Sequence, residues 1–157
     1  MTLKRNELLL SEQAIDDNAY IVLNGTVRVY VMIGEKEQNI RFAYSGEIFT
    51  HMDSFFQDIP SQYYIEAIKA CEIGVIPKAA VMDWVAASVE NLQFWNKLLT
   101  AHLLGSLERE MDLLIEKPEE RVARVLLRSP RLFQEIPLRH IANYLRMTPE
   151  TLSRIRK

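Results

Sequence analysis

The spacing of apolar residues changes at Pro77, and this change constrains the fold of the chain more than any other feature. Over residues 8–76, short runs alternate between apolar and polar side chains, as in Val27–Val31, and turn residues separate the runs. Beyond Pro77, apolar residues recur every three to four positions, above all in Asn91–Glu116. The sequence therefore predicts an α+β chain, with a β barrel or sandwich first and helices after it.

Turn residues divide the strand region and mark where the helices begin. Asn24-Gly25 lies between two β-rich runs and predicts a β-hairpin, and residues 34–37 predict a second turn. Pro77 suits the start of a helix because its missing N–H is not needed there, so residues 78–90 are predicted as a short helix. Lys117-Pro118 ends the long helix that follows.

One apolar stripe runs along the long predicted helix Asn91–Glu116. A helix of about 25 residues is about 38 Å long, which is more than one small domain needs. The stripe could pack on the chain's own β region, or on the same helix of a second copy, and we favour the second copy. The residues expected in such a dimer interface are Leu92, Trp95, Leu99 and Leu103.

Charge is distributed unevenly along the chain. Residues 117–157 contain ten Lys or Arg and four Glu, a net charge of +6, whereas residues 1–116 carry −8, which together give the overall −2. A basic C-terminal quarter on an acidic body predicts a polyanionic partner for that quarter. The alternative is a basic surface that serves only to keep the protein in solution.

The last two predicted helices are short, amphipathic and closely joined. Ile141, Ala142 and Leu145 form one apolar face of the first, and Leu152 belongs to the apolar face of the second. Only residues 146–147 separate the two helices, which predicts a helix-turn-helix. The small side chain at position 142 allows the second helix to approach closely.

The other face of the last helix carries polar groups suited to DNA bases. Glu150, Ser153, Arg154 and Lys157 follow the spacing i, i+3, i+4 and i+7, so they share one side. Arginine can bond a guanine edge through two hydrogen bonds, and glutamate can accept one from the cytosine amino group. The predicted DNA-binding residues, including phosphate contacts and the helix cap, are Arg139, Arg146, Thr148, Pro149, Glu150, Ser153, Arg154 and Lys157.

With these residues, the chain resembles the Crp/Fnr family of transcription regulators over nearly its whole length. Residues 3–31 and the segment "RFAYSGEIF" resemble the family's effector β-roll, and Asn91–Glu116 resembles its dimerisation helix. Residues 149–157, with the pattern Glu-x-x-Ser-Arg, resemble its recognition helix. The resemblance implies a β-roll at 1–89, a dimerisation helix at 90–117 and a helix-turn-helix domain at 118–157.

The resemblance also implies a function and a set of partners. A dimeric regulator of this type binds double-stranded DNA in the cytoplasm, and RNA polymerase and a small-molecule effector are further partners that the family admits. Two other interpretations stay open: a sensor of an unknown small ligand through the β-roll, and a protein-interaction scaffold that has lost DNA binding. Members usually have a helix before the β-roll and a wing after the recognition helix, whereas this sequence starts at the roll and stops at Lys157. Two explanations stay open: a protein of modest DNA affinity, or a shortened form of a longer one.

The chain departs from the family where cyclic nucleotides bind. Family members that bind them have Gly-Glu-Leu, with a glutamate for the ribose, and Arg-Ser/Thr-Ala, with an arginine for the phosphate. The corresponding positions here are 50–52, Thr-His-Met, and 61–63, Ser-Gln-Tyr. We therefore expect no response to cyclic AMP. The degenerate pocket that remains would be lined by Thr50, His51, Ser61 and Gln62.

Several classes of protein are not supported by the sequence. No nucleophile motif such as G-x-S-x-G is present, so an enzyme is not expected. The single cysteine, Cys71, excludes an internal disulfide and a cysteine metal cluster, and it is predicted to be a buried small side chain. No cofactor or metal is expected, and no apolar run approaches the ~18 residues that would span a membrane.

Overall fold

The computed structural model describes residues 1–156, and the chain forms two compact units. The first unit is Met1–Ala87, and the second begins at Ser88 and contains the long helix with all the helices that follow it. No helix among the described residues is long and apolar enough to cross a membrane. The predicted boundary at residue 117, between a dimerisation helix and a DNA-binding domain, stays a prediction.

The first unit consists of two four-stranded sheets and two helices. The sheet orders are β1-β8-β3-β6 and β2-β7-β4-β5, and every pairing is antiparallel. The strands are β1 (Thr2–Leu3), β2 (Leu8–Leu10), β3 (Asn18–Asn24), β4 (Thr26–Ile33), β5 (Lys36–Tyr44), β6 (Ile48–Thr50), β7 (Tyr64–Ala67) and β8 (Cys71–Pro77). The helices are α1 (Met52–Gln57) and α2 (Lys78–Ala86). This arrangement confirms the predicted antiparallel β-roll.

Both sheets contribute side chains to one apolar core. Val22 and Ile73 come from one sheet, and Val27 and Ile65 come from the other, and all four are buried. Burial of apolar side chains is the main favourable contribution to the stability of such a fold. Helix α1, which the sequence did not predict, places Phe55 in a fully buried position. Six residues are too few to show a helical period in the sequence.

The predicted hairpin at Asn24-Gly25 is wrong, because β3 and β4 belong to different sheets. The chain crosses there from one sheet to the other. Gly25 has φ +103°, and a Cβ at this position would lie 2.6 Å from Sγ of Cys71. That sulfur is buried, as predicted, and accepts a hydrogen bond from the Thr26 N–H at 3.2 Å. The second predicted turn is a true hairpin, in which Ile33 pairs with Lys36.

The burial of Arg28 explains why the alternating sequence pattern of β4 did not predict which of its side chains are buried. The pattern of Val27–Val31 predicts a strand with one exposed face, but the Arg28 side is buried too, and Arg28 is only 4% exposed. Its guanidinium donates to Glu66 at 3.1 and 3.0 Å, to Glu37 at 2.6 Å and to Asn39 at 3.2 Å. A buried guanidinium is tolerated when its donors are satisfied in this way.

The second unit is helical. Its helices are α3 (Val89–Leu114), α4 (Pro118–Arg128), α5 (Pro130–Glu135), α6 (Leu138–Tyr144) and α7 (Pro149–Ile155). The long helix starts two residues before the predicted Asn91, because the Ser88 hydroxyl caps it by accepting the Asn91 N–H at 3.1 Å. The short helix predicted over residues 78–90 consequently ends at Ala86. Helix α5 was not predicted.

A buried carboxylate holds α4 against the end of α3. Asp112 is fully buried on α3, and it accepts hydrogen bonds from Nε of Arg124 at 3.0 Å and from Arg128. Glu108, one turn earlier, accepts from Arg124 at 2.5 Å. A buried aspartate without these arginines would be strongly unfavourable, so the pairs fix how the two helices meet.

Candidate nucleic-acid interface

Helices α6 and α7 pack closely through a small apolar contact. Ile141, Ala142 and Leu145 at the first helix and Leu152 of the second are fully buried. Because Ala142 has only a methyl group, the two backbones can approach each other. This packing is the one predicted for a helix-turn-helix.

The turn between the two helices is made by Arg146 in a left-handed conformation, with φ +57°. A residue with a side chain costs on the order of 1 kcal/mol there relative to glycine. The turn offsets part of this through backbone hydrogen bonds, from the Met147 N–H to the Ala142 carbonyl at 3.0 Å and from the Arg146 N–H to the Asn143 carbonyl at 3.1 Å.

Helix α7 begins as its sequence predicts. The Thr148 hydroxyl accepts the Thr151 N–H at 3.2 Å, and Pro149 occupies the first helical position. The carboxylate of Glu150 accepts from its own backbone N–H and from the Thr148 side chain, and these bonds lower its pKa. Glu150 is therefore ionised at neutral pH, so it can only accept hydrogen bonds.

The face of α7 opposite Leu152 is exposed. Glu150, Ser153 and Arg154 lie on it, and all three are accessible to solvent. Lys157, predicted to extend this face, lies outside the described residues. The arrangement offers one ionised acceptor, one hydroxyl and one guanidinium within two helical turns, which is a set of groups that can meet base edges.

Six arginines of the second unit differ in whether they form ion pairs. Arg124, Arg128 and Arg131 are paired with carboxylates of the same unit. By contrast, Arg139, Arg146 and Arg154 form no ion pair with the described residues, although Nε of Arg139 donates to Nε2 of the buried His140 at 3.2 Å. Exposed arginines without an ion pair to the described residues therefore lie on α6, in the turn and on α7, where a polyanion would be attracted.

A second candidate surface is the apolar stripe of α3. Among the residues predicted for a dimer interface, Leu103 is 62% exposed and Leu92 is also exposed, whereas Trp95 and Leu99 are half-buried. The exposed stripe continues beyond the predicted set to Leu107, Met111 and Leu114. A contiguous exposed apolar face of this length is typical of a protein–protein interface.

The residues predicted to line the degenerate pocket have different surroundings. The Thr50 hydroxyl donates to the Asn18 carbonyl at 2.8 Å, and the buried Ser61 hydroxyl accepts the Tyr63 N–H at 3.1 Å. Gln62 is exposed. His51 is 1% exposed, and neither ring nitrogen has a hydrogen-bond partner among the described residues. Two of the four side chains are thus occupied by bonds within the β-roll.

Carboxylates are the charged groups that act on His51. Burial disfavours the charged imidazolium more strongly than Asp16 and Asp53 favour it, and the net effect lowers the pKa of His51. Asp16 was not predicted as part of this site; its carboxylate accepts from the Asn18 N–H at 2.9 Å and from the Tyr20 hydroxyl at 2.8 Å. The sequence signal for this role is the position of Asp16 two residues before Asn18, because an aspartate in a turn often accepts the backbone N–H two residues later.

We expect the lowered pKa of His51 to make the protein less stable in mild acid. The unfolded chain binds a proton at its ordinary pKa of about 6.5, whereas the folded chain resists it, so the free energy of unfolding falls as the pH drops below that value. The loss is at most about 1.4 kcal/mol per pH unit. Urea unfolding between pH 7.5 and 5.5 measures it.

His51→Leu is the test variant. His102→Gln is its control, because it removes a different histidine, which lies half-buried on α3. The first should flatten the pH dependence over that interval, and the second should leave it as in the wild-type protein. Equal slopes in all three proteins would contradict the assignment to His51.

Comparison with known proteins identifies the family. The family model described as the cyclic nucleotide-binding domain matches residues 1–88, which is more than half of the chain. The chain therefore belongs to the cyclic nucleotide-binding domain family. The comparison with curated proteins gave no match.

Solved structures share the fold of the chain at low sequence identity. FixK2 from Bradyrhizobium japonicum has a TM-score of 0.83 at 22% identity, with 99% of this chain and 80% of that one covered. A CooA mutant from Carboxydothermus hydrogenoformans has 0.79 at 18%, with 99% and 72% covered. TTHB099 from Thermus thermophilus, a transcriptional regulator of the CRP family, has 0.76 at 17%, with 99% and 81% covered. These matches confirm the fold predicted from the sequence, which is that of Crp/Fnr regulators.

Proposed function

We propose that this protein is a dimeric, sequence-specific DNA-binding transcription regulator of the Crp/Fnr type. The observation that carries the proposal is the exposed face of α7, which presents Glu150, Ser153 and Arg154, together with exposed arginines of α6 and the turn that form no ion pair with the described residues. The fold shared with a CRP-family transcriptional regulator supports the same function. RNA polymerase is a further partner that a transcription regulator of this kind would contact.

The proposed interface separates base recognition from phosphate binding. In a major groove, the Arg154 guanidinium would donate to O6 and N7 of a guanine, and the ionised Glu150 would accept from a cytosine amino group. Arg139 and Arg146, on α6 and in the turn, would bind phosphates and so set the orientation of α7 on the duplex. Thr148 and Pro149 would act by capping and starting that helix.

The apolar face of α3 supports a symmetric dimer. If two copies pair along this face, their α7 helices would enter successive major grooves about 34 Å apart, and the operator would be a near-palindrome. Leu103 and Leu107 would be buried in the interface, which would remove their exposed apolar surface from water.

Selection from random duplex DNA tests the proposed function directly. The protein would be incubated with a pool of duplexes, and bound sequences would be amplified and compared after several rounds. We expect enrichment of a palindrome whose half-sites resemble TTGA, the preference that the family's Glu-x-x-Ser-Arg pattern implies. Recovery of an unenriched pool at low salt would mean that the protein does not recognise sequence, and the proposal would fail.

We expect cyclic AMP not to bind in a specific site of the β-roll. The position of the family's phosphate-binding arginine is Ser61, and both charged groups that act on His51 are carboxylates, which would repel an anionic phosphate. Without a cation, nothing offsets the desolvation of the phosphate. Calorimetry with excess cyclic AMP should show no saturable heat, with AMP as the matched control. A micromolar dissociation constant for cyclic AMP would refute the prediction.

A second candidate function is a sensor of a different small ligand through the β-roll, coupled to the same DNA interface. The buried imidazole of His51, without a hydrogen-bond partner among the described residues, favours it, since a buried polar group left unbonded is unusual. A neutral ligand with both a donor and an acceptor would match the two ring nitrogens.

A further inference from the structure

The carbonyl groups near the end of α6 accept hydrogen bonds from different donors. The Ile141 carbonyl accepts from the Leu145 N–H, the Ala142 carbonyl from the Met147 N–H, and the Asn143 carbonyl from the Arg146 N–H. The left-handed turn then leads the chain away from the helix, and the carbonyls of Tyr144 and Leu145 accept from side chains of other helices. Carbonyl groups at the end of a helix are satisfied by donors from outside it.

Two arginines from outside the helix-turn-helix supply those donors. Arg109, on α3, donates through Nη2 to the Tyr144 carbonyl, and its guanidinium lies 3.7 Å from the centroid of the Tyr144 ring. Arg121, on α4, donates through Nη1 to the Leu145 carbonyl at 2.6 Å. The same Arg121 donates to the Ile115 carbonyl, at the end of α3, through Nε at 3.1 Å and Nη2 at 2.6 Å. Each arginine thus joins α3 to the last residues of α6.

We propose that Arg109 and Arg121 are positioning residues that fix the direction of α7 relative to α3, and so determine which spacing between DNA half-sites the dimer accepts. This inference rests on the proposed function. Because α3 would form the dimer interface, any freedom between α3 and the turn would let the two α7 helices move independently. Base recognition within one half-site would not change, since Arg154 and Glu150 lie on the opposite face of α7 from Leu152.

Stability alone does not account for Arg109. Its Nη1 is buried without a hydrogen-bond partner among the described residues, and the nearby Arg146 and Arg128 carry the same charge. Burial is the main cause of the lowered pKa of the guanidinium; Arg146 and Arg128 add to it, whereas Tyr144 and Asp112 act in the opposite direction. A buried charge with an unsatisfied donor is itself costly, and this cost offsets part of what the bond to the Tyr144 carbonyl contributes to stability. Arg109→Met would keep the packing on the Tyr144 ring but would remove the hydrogen bond.

The test compares duplexes that differ only in the spacing of their half-sites. Wild-type protein, Arg109→Met and a control, Arg131→Met, are titrated by fluorescence anisotropy with the selected palindrome, with versions lengthened or shortened by two base pairs, and with a single half-site. Arg131 pairs with Glu135 within α5, so the control removes an arginine ion pair that joins neither α3 nor the turn between α6 and α7. Thermal unfolding is measured in parallel.

We expect the wild-type protein and Arg131→Met to prefer the native spacing by about tenfold or more, because a rigid dimer cannot follow a displaced half-site. Arg109→Met should reduce this preference to about threefold or less, with unchanged single half-site affinity. If methionine prevents folding, Arg109→Lys carries the same expectation, since lysine cannot both stack and bond as arginine does. If the folded Arg109 variant prefers the native spacing as strongly as the wild-type protein does, the inference is wrong. If the wild-type protein shows no sequence preference, the proposed function itself is wrong.

Discussion

Replacing Leu103 with aspartate is expected to give a monomer that binds palindromic DNA about 100-fold more weakly than the wild-type protein. Leu103 is 62% exposed in the single chain, in the middle of the apolar face of α3. In a two-fold interface the two aspartates would come close together, and each would lose its hydration without a partner. Light scattering at micromolar concentration measures the mass, and fluorescence anisotropy measures DNA binding.

Ala101→Asp is the matched control for this experiment. Ala101 is also exposed on α3, but it lies two residues before Leu103 and therefore on the other side of the helix. The same charge at this position should leave the dimer and its DNA affinity intact. A dimer mass for Leu103→Asp at the same concentrations would show that the apolar face of α3 is not the interface.

Arg154→Ala is expected to weaken binding to the selected palindrome by about 1–3 kcal/mol and to remove the preference for one base in each half-site. The guanidinium of Arg154 is exposed on α7 and forms no ion pair with the described residues, so little in the folded protein depends on it. Its removal should therefore leave the thermal unfolding curve unchanged. Anisotropy on the palindrome and on a scrambled duplex at several salt concentrations gives both the affinity and the preference.

Arg139→Ala is the control for Arg154→Ala, because a phosphate contact carries no sequence information. It should weaken binding to both duplexes alike and reduce the slope of log affinity against log salt by about one. Equal losses on the palindrome and the scrambled duplex for Arg154→Ala would assign Arg154 to phosphate binding, and the proposed roles on α7 would be wrong.

The sequence predicted well those features that depend on residues close together in the chain. Thr148 caps α7 because its hydroxyl reaches an N–H three residues later, and Arg146 alone makes the sharp turn before it. The apolar stripe of α3 is set by the helical period. The polar face with Glu150 and Arg154 follows from the same period. Such patterns can be recognised without knowledge of the rest of the chain.

Features that join distant segments were missed or misjudged. Asn24-Gly25 has the composition of a hairpin, yet the two strands beside it belong to different sheets, and Gly25 is required by the close approach of Cys71. The burial of Arg28 depends on Glu66, which is 38 residues away along the chain. Helix α5 was missed because six residues show no period.

The sequence by itself determined the change from strands to helices, the basic helix-turn-helix and the residues that face outward from α7, because capping, turns and helical periods act over a few residues. Only the tertiary structure decided how α3 is joined to that motif. Arg109 bonds a carbonyl 35 residues away, and Arg121 bonds one 24 residues away. Every residue has a carbonyl, so no side-chain pattern marks which ones remain without a donor until the chain has folded around them.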